Sequence, residues 1–170
     1  KAQKGEPYQE QLEAFKTYQK EPLKTIDLTA EFSVLNKLFE GVSLLGDYSL
    51  KIKDEVLAQG ELLSVKLLAG LLDKQGIKAN AVDSRQLIKT DATFGNAQPI
   101  IPLSKDNVKR YFKENNGDVV HVVAGYIASN AKNETTTLGR NGSNYSAALI
   151  ANFLDAEELQ NYTHVDGIFT

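Results

Sequence analysis

The sequence predicts an α/β fold, with helices on both faces of a mainly parallel sheet. Helix-like and strand-like patterns alternate after residue 50. The run Val119-Val120-His121-Val122-Val123-Ala124-Gly125-Tyr126-Ile127 is apolar almost throughout, as in a central strand covered on both faces. Amphipathic patterns at 104–115 and 145–154 flank it in sequence. Right-handed crossovers place such helices against the sheet.

Each element has a local reason. Residues 8–20 read as a polar helix that Pro22 ends. Phe32, Leu35, Leu38 and Phe39 recur at helical spacing over 29–40, with Gly41 as a stop and 42–46 as a short apolar connection. Residues 50–74 carry the strongest helical pattern, and Gly60 predicts two helices or one broken helix there. Projecting its Val65, Leu68 and Leu72 stripe back one turn reaches Glu61. That carboxylate is either solvated in a first helical turn or held in a buried stripe for a purpose.

Residues 77–83 read as a strand, 86–90 as a short strand or loop, and 95–102 as turn-rich. The helix over 104–115 points Val108, Tyr111 and Phe112 inward, and Asn116-Gly117 closes it. His121 reads as a hydrogen-bonded core or edge histidine. Thr135 to Leu138 form a short strand, Gly139 to Gly142 a tight loop, and Ser143 or Asn144 caps the helix over 145–154. A last strand runs over 158–165.

The 170 residues suit one domain, or one large lobe. The formal charge is −3, which excludes a general nucleic-acid surface but leaves small anions open. There is no Cys and there are only two His, so thiolate metal sites, a Cys nucleophile and most histidine metal sites are excluded. No run of 18 apolar residues is present, and the first residues lack the apolar core of a signal peptide. The chain has no Met, position 1 included, which points to a trimmed segment.

The string that carries chemistry is Thr137-Leu138-Gly139-Arg140-Asn141-Gly142-Ser143-Asn144. Its glycines permit tight dihedrals and close approach of a ligand. The following helix offers unpaired amides to an anion, and Arg140 adds a planar fork for a carboxylate or phosphate. A purely structural capped turn accounts for the same spacing. The string is neither a P-loop nor a dinucleotide fingerprint.

This string, the segment Val122 to Ile127, the ending Val165-Asp166-Gly167-Ile168-Phe169-Thr170 and the earlier Gln59-Gly60-Glu61-Leu62-Leu63-Ser64 together resemble the aspartate kinases of the amino acid kinase superfamily. The likeness is greatest to the kinase domain of fused aspartokinase–homoserine dehydrogenases and runs from about residue 39 to 170. It implies a three-layer α/β/α sandwich of the carbamate kinase-like type, here incomplete. Residues 1–45 would be peripheral helices and 46–170 the core. It also implies transfer of the ATP γ-phosphoryl group to the side-chain carboxylate of L-aspartate, the first step towards threonine, methionine and lysine. Mg²⁺ would accompany ATP. The parent would be a cytoplasmic homo-oligomer, fused to homoserine dehydrogenase, with no nucleic-acid or membrane partner. No residue is implied as a protein metal ligand.

Roles follow residue by residue. Glu61 would bind the substrate ammonium and Arg140 a substrate carboxylate. Tyr126, Gly139, Gly142 and Ser143 would line the same site. Thr163, His164, Asp166, Gly167 and Phe169 would line the nucleotide side. The family assigns catalysis to an Asp where this chain has Asn144, and its nucleotide segment carries an Asp where His164 stands. Its Lys-Phe-Gly-Gly strand has no counterpart here, so the resemblance implies that these residues alone are inactive. The departures keep a regulatory or pseudokinase amino-acid-binding module in view. Acetylglutamate or uridylate kinases are the other enzymatic alternatives.

Overall fold

Helix formation before residue 50 follows the apolar spacing, then outruns it. The computed structural model describes residues 1–20 and 26–162. Helix α1 spans Gln9–Lys20 and α2 spans Thr29–Leu45. Tyr8, Leu12, Leu35 and Val42 bury against Ala2, and the Tyr8 ring stacks on Phe39 at 5.5 Å between centroids. Gly41 does not stop α2. A helical glycine costs about 1 kcal/mol, less than the roughly 1.5–3 kcal/mol from burying Val42 one residue later. The helix ends at Gly46, whose φ of 62° is left-handed and whose amide donates to the Val42 carbonyl at 3.0 Å.

Helix α3 runs unbroken over Leu50–Lys74, so Gly60 neither splits nor bends the chain into two helices. Both sides of Gly60 are anchored. Ala58 and Val65 pack on Ala124 and Ile127, while Leu63 packs on Leu28 and Phe32 of the α2 segment. Burial on two faces outweighs a local propensity deficit of about 1 kcal/mol.

Among the described residues the strands form two small sheets. Strand β1 (Ala79–Val82) pairs in parallel with β3 (Val120–Val123), Ala79 opposite Val120. Strand β2 (Lys89–Thr90) pairs in parallel with β4 (Ile127–Asn130), which pairs antiparallel with β5 (Thr135–Thr137). The expected single strand over 119–127 is therefore two strands. The chain leaves the ladder at Ala124-Gly125-Tyr126, where Tyr126 takes φ of 68°. Among the described residues β3 pairs only with β1, so its expected central place is not realised there, and Val120 is exposed.

Helices α4 (Ile101–Glu114) and α5 (Gly142–Phe153) lie opposite α3. Val122 joins the cluster on the α3 side, and Val123 the cluster with Val108, Leu149 and Phe153. This alternation puts an apolar layer on each face, as an α/β/α arrangement requires. Helix α4 starts three residues before the expected 104, because Pro102 fits a first turn. Helix α5 starts at Gly142 behind Asn141, so neither Ser143 nor Asn144 is its cap. Residues 158–162 are irregular rather than strand, and 163–165 lie outside the described residues. His121 meets the carbonyl of Asn115 through Nε2 at 3.0 Å, its ring edge-on to Tyr111 and Phe112. Among the described residues no helix is long and apolar enough to cross a membrane.

Candidate active site

The loop between β5 and α5 is held from below by Tyr126. The Leu138 amide donates to the Tyr126 carbonyl at 2.9 Å. The Tyr126 amide donates to Ser146 Oγ at 3.0 Å, and that hydroxyl donates to the Gly142 carbonyl at 2.9 Å. Ser146 is thus a buried clasp between the turn and the first turn of α5. The approach leaves no room for side chains. A Cβ on Gly142 would lie 2.7 Å from Tyr126 Cδ2 and 3.2 Å from its Cα; one on Gly125 would lie 2.8 Å from Ser143 Cβ and 2.9 Å from its Cα. Holding a tyrosine at positive φ costs of order 1–3 kcal/mol, and such strain gathers at binding sites.

Two further left-handed residues, Gly139 and Asn141, turn the loop around Arg140, which is exposed. The Gly142 amide donates to the Gly139 carbonyl at 3.1 Å. Among the described residues the amides of Ser143 and Asn144 make no hydrogen bond. They and the guanidinium together suit an anion. Asn144, in the first turn of α5, is exposed beside them.

The α3 face behind this loop carries Asp54, Ala58, Glu61 and Val65 at successive helical turns. Glu61 is half-buried, and burial pushes its carboxyl above the usual range. Among the described residues it has no hydrogen bond and no ion pair. A desolvated carboxylate without a partner favours an arriving cation. Asp54 is fully buried and accepts from the Gly95 amide at 2.8 Å, the Thr137 amide at 3.1 Å and Thr137 Oγ1 at 2.8 Å.

Of the residues expected from sequence, Tyr126, Gly139, Gly142 and Ser143 come together through these contacts. Arg140 and Asn144 flank them, and Glu61 lies on the helix face whose neighbours pack on Tyr126 and Ala124. Thr163, His164, Asp166, Gly167 and Phe169 lie outside the described residues. Sequence reasoning missed Ser146, Asp54 and Asn96. The α3 stripe that led back to Glu61 reaches Asp54 two turns earlier. Nothing local marks Ser146 or Asn96.

A cavity of about 350 Å³ abuts the loop on the α4/α5 side, lined in part by Gly125, Ser143, Ser146 and Ala147. A larger apolar cleft of about 510 Å³ lies among α1, α2 and the middle of α3, and brings no charged cluster with it. Among the described residues no group of three or more His, Asp or Glu is placed to hold a metal.

The model of the amino acid kinase family matches residues 6–170. The chain is 32% identical over 141 residues to the lysine-sensitive aspartokinase 3 of Escherichia coli K12, covering 80% of this chain and 31% of that protein. It is 31% identical over 152 residues to the bifunctional aspartokinase/homoserine dehydrogenase of Buchnera aphidicola, covering 88% of this chain and 18% of the relative. The crystal structure of E. coli aspartokinase III in complex with aspartate and ADP superposes with a TM-score of 0.77 at 30% identity, over 86% of this chain and 34% of the other. The chain thus spans about a third or less of the length of these relatives.

Proposed function

Because the chain belongs to the amino acid kinase family, and its similarity runs to the aspartokinases, we propose that it is the central part of a kinase domain that phosphorylates L-aspartate with ATP. The observation that carries this is the Leu138–Ser143 loop. It is clasped onto a positive-φ Tyr126 and presents Arg140 and two amides that are unpaired among the described residues, as is Glu61 on the α3 face that packs on Tyr126.

The chemistry follows from the charges. Aspartate brings one ammonium and two carboxylates. Glu61 takes the ammonium, which relieves the desolvation of its own carboxylate. Arg140 takes the α-carboxylate through a bidentate fork. The side-chain carboxylate is then free to attack the γ-phosphorus in line, with ADP leaving and an acyl phosphate formed. In this reading the amides of Ser143 and Asn144 are assigned to the charge that gathers on the phosphoryl oxygens. ATP is the second substrate; the residues that the family resemblance assigns to the nucleotide side, Thr163 to Phe169, lie outside the described residues. Mg²⁺ accompanies ATP. The described residues form no metal cluster, so no step is assigned to them through the ion.

The full protein, in this reading, is a homo-oligomer whose kinase domain is fused to homoserine dehydrogenase, as in the Buchnera relative, and works in the cytoplasm. Residues 1–45 are its peripheral helices and 46–170 part of its core. Asn144, where the family places a carboxylate, favours one second reading: a module that binds aspartate without turning it over.

Arg140→Lys in the full-length enzyme tests the first reading. Loss of the bidentate fork raises the aspartate KM about tenfold or more, with the ATP KM nearly constant. An unchanged aspartate KM would falsify the assignment of this loop. Absence of any aspartate-dependent ADP release by the full-length protein, with aspartate binding retained, selects the second reading.

A further inference from the structure

The geometry points to Asp54 as the positioning residue that holds the two halves of the aspartate site in register. The inference rests on the reading above, in which Glu61 and Arg140 grip opposite ends of the substrate. These two residues stand on separate elements. Glu61 lies on α3, two turns after Asp54 on the same helix face. Arg140 lies three residues beyond Thr137, the last residue of β5. Asp54 joins the two elements directly, Oδ1 accepting from Thr137 Oγ1 at 2.8 Å and Oδ2 from the Thr137 amide at 3.1 Å.

Oδ2 also accepts from the Gly95 amide at 2.8 Å. That bond brings in the turn over 91–98, which buttresses the loop from the other side. The Ala97 amide of this turn donates to the Thr137 carbonyl at 2.8 Å. Asn96 closes on Gly139, where a Cβ would lie within 3.2 Å of the amide carbon of its side chain. Three elements therefore meet on one carboxylate at the root of the substrate loop.

The chemistry of the contact separates positioning from simple packing. Asp54 is fully buried, yet among the described residues no Lys, Arg or His pairs with it. Its charge is met by two backbone amides and one hydroxyl. An unpaired buried charge is an expensive way to join a helix to a strand. What it supplies is direction, because three donors converging on two oxygens fix distance and rotation together. Thr137, also fully buried, answers with both its backbone and its side chain.

The experiment uses the full-length enzyme, with aspartate and ATP varied separately. Asp54→Ala removes both acceptor oxygens and with them all three hydrogen bonds, and Thr137→Val removes the hydroxyl. Each raises the aspartate KM by about tenfold, since small displacements at a binding site carry large penalties, while the ATP KM moves less than about twofold. Asp54→Asn and Thr137→Ser recover most of the affinity. The asparagine carbonyl still accepts from both amides, and its amide nitrogen donates to Thr137 Oγ1. Should Asp54→Ala not fold, the Thr137→Val and Thr137→Ser pair decides by the same split.

Equal losses in both KM values, or a fall in kcat alone, overturn positioning in favour of a general structural role. So does an unchanged aspartate KM in a folded Asp54→Ala or Thr137→Val enzyme. Arg140→Lys, run in parallel, keeps the two readings apart. If it raises the aspartate KM while the Asp54 and Thr137 variants do not, the loop assignment stands and the positioning role fails. If it too leaves the aspartate KM unchanged, the loop assignment itself fails.

Discussion

Gly125→Ala places a methyl group where the turn into Tyr126 meets the first turn of α5. The added Cβ would lie 2.8 Å from Ser143 Cβ and 2.9 Å from both its Cα and its Oγ. Ordinary contact begins near 3.4 Å, so the two segments must separate by about 0.5 Å. Rotating the Ser143 side chain moves only Oγ and leaves Cα and Cβ in place. Overpacking of this kind costs about 1–3 kcal/mol, and the stiffer unfolded chain returns about 0.4–1 kcal/mol. A net loss of about 1–2 kcal/mol lowers Tm by roughly 2–8 °C in a chain of this size. Thermal denaturation of the wild type, Gly125→Ala, Ser143→Gly and the double variant, followed by circular dichroism, measures both the loss and the coupling. Ser143→Gly removes Cβ and Oγ but leaves Cα, so the double variant recovers part of the loss and the coupling is favourable. The separation also loosens the Ser146 clasp on Tyr126, so the aspartate KM of the full-length enzyme rises with the same substitution. A Tm within about 1 °C of wild type, with no coupling to Ser143, refutes the close approach on which the site description depends.

Two further outcomes follow from the site. Burial raises the Glu61 carboxyl above its unfolded value, so the folded form holds its proton more tightly; stability from this group is fully present below the unfolded value and declines as pH rises through the raised one. Glu61→Gln removes that decline, so the variant gains stability over wild type at neutral pH but not in acid, while its aspartate affinity falls; parallel Tm profiles across pH would contradict the assignment of an unpaired, desolvated carboxylate. The 170 residues alone, which contain no Lys-Phe-Gly-Gly string, release no aspartate-dependent ADP from Mg²⁺-ATP; turnover near that of the full-length enzyme, abolished by changing Arg140, shows that the catalytic groups lie elsewhere than proposed.

Much of this molecule is legible in its sequence because the relevant signals are local. A polar helical run before Pro22 is enough for α1, and apolar patterning for α4 and α5 to within a few residues, since both are properties of neighbouring positions. The Gly139 to Ser143 string announces a loop before a helix, and Arg140 its charge, because glycine and arginine carry those properties wherever they stand. The stripe through Val65 leads to Glu61 and, followed further, to Asp54.

The tertiary structure decided what depends on a partner distant in sequence. Gly41 and Gly60 read as breaks, yet both helices continue, because burial against other elements exceeds a local penalty of about 1 kcal/mol. The run from Val119 to Ile127 reads as one strand. It divides because Tyr126 leaves the ladder to bond Leu138 and Ser146, a choice made by the α5 start some 20 residues away. Sequence reasoning missed Asp54; its meaning comes from Thr137, 83 residues later, whose amide and hydroxyl donate to it. Periodicity reports which side of a helix is buried, but a buried charge is explained only by the donors that the fold carries to it.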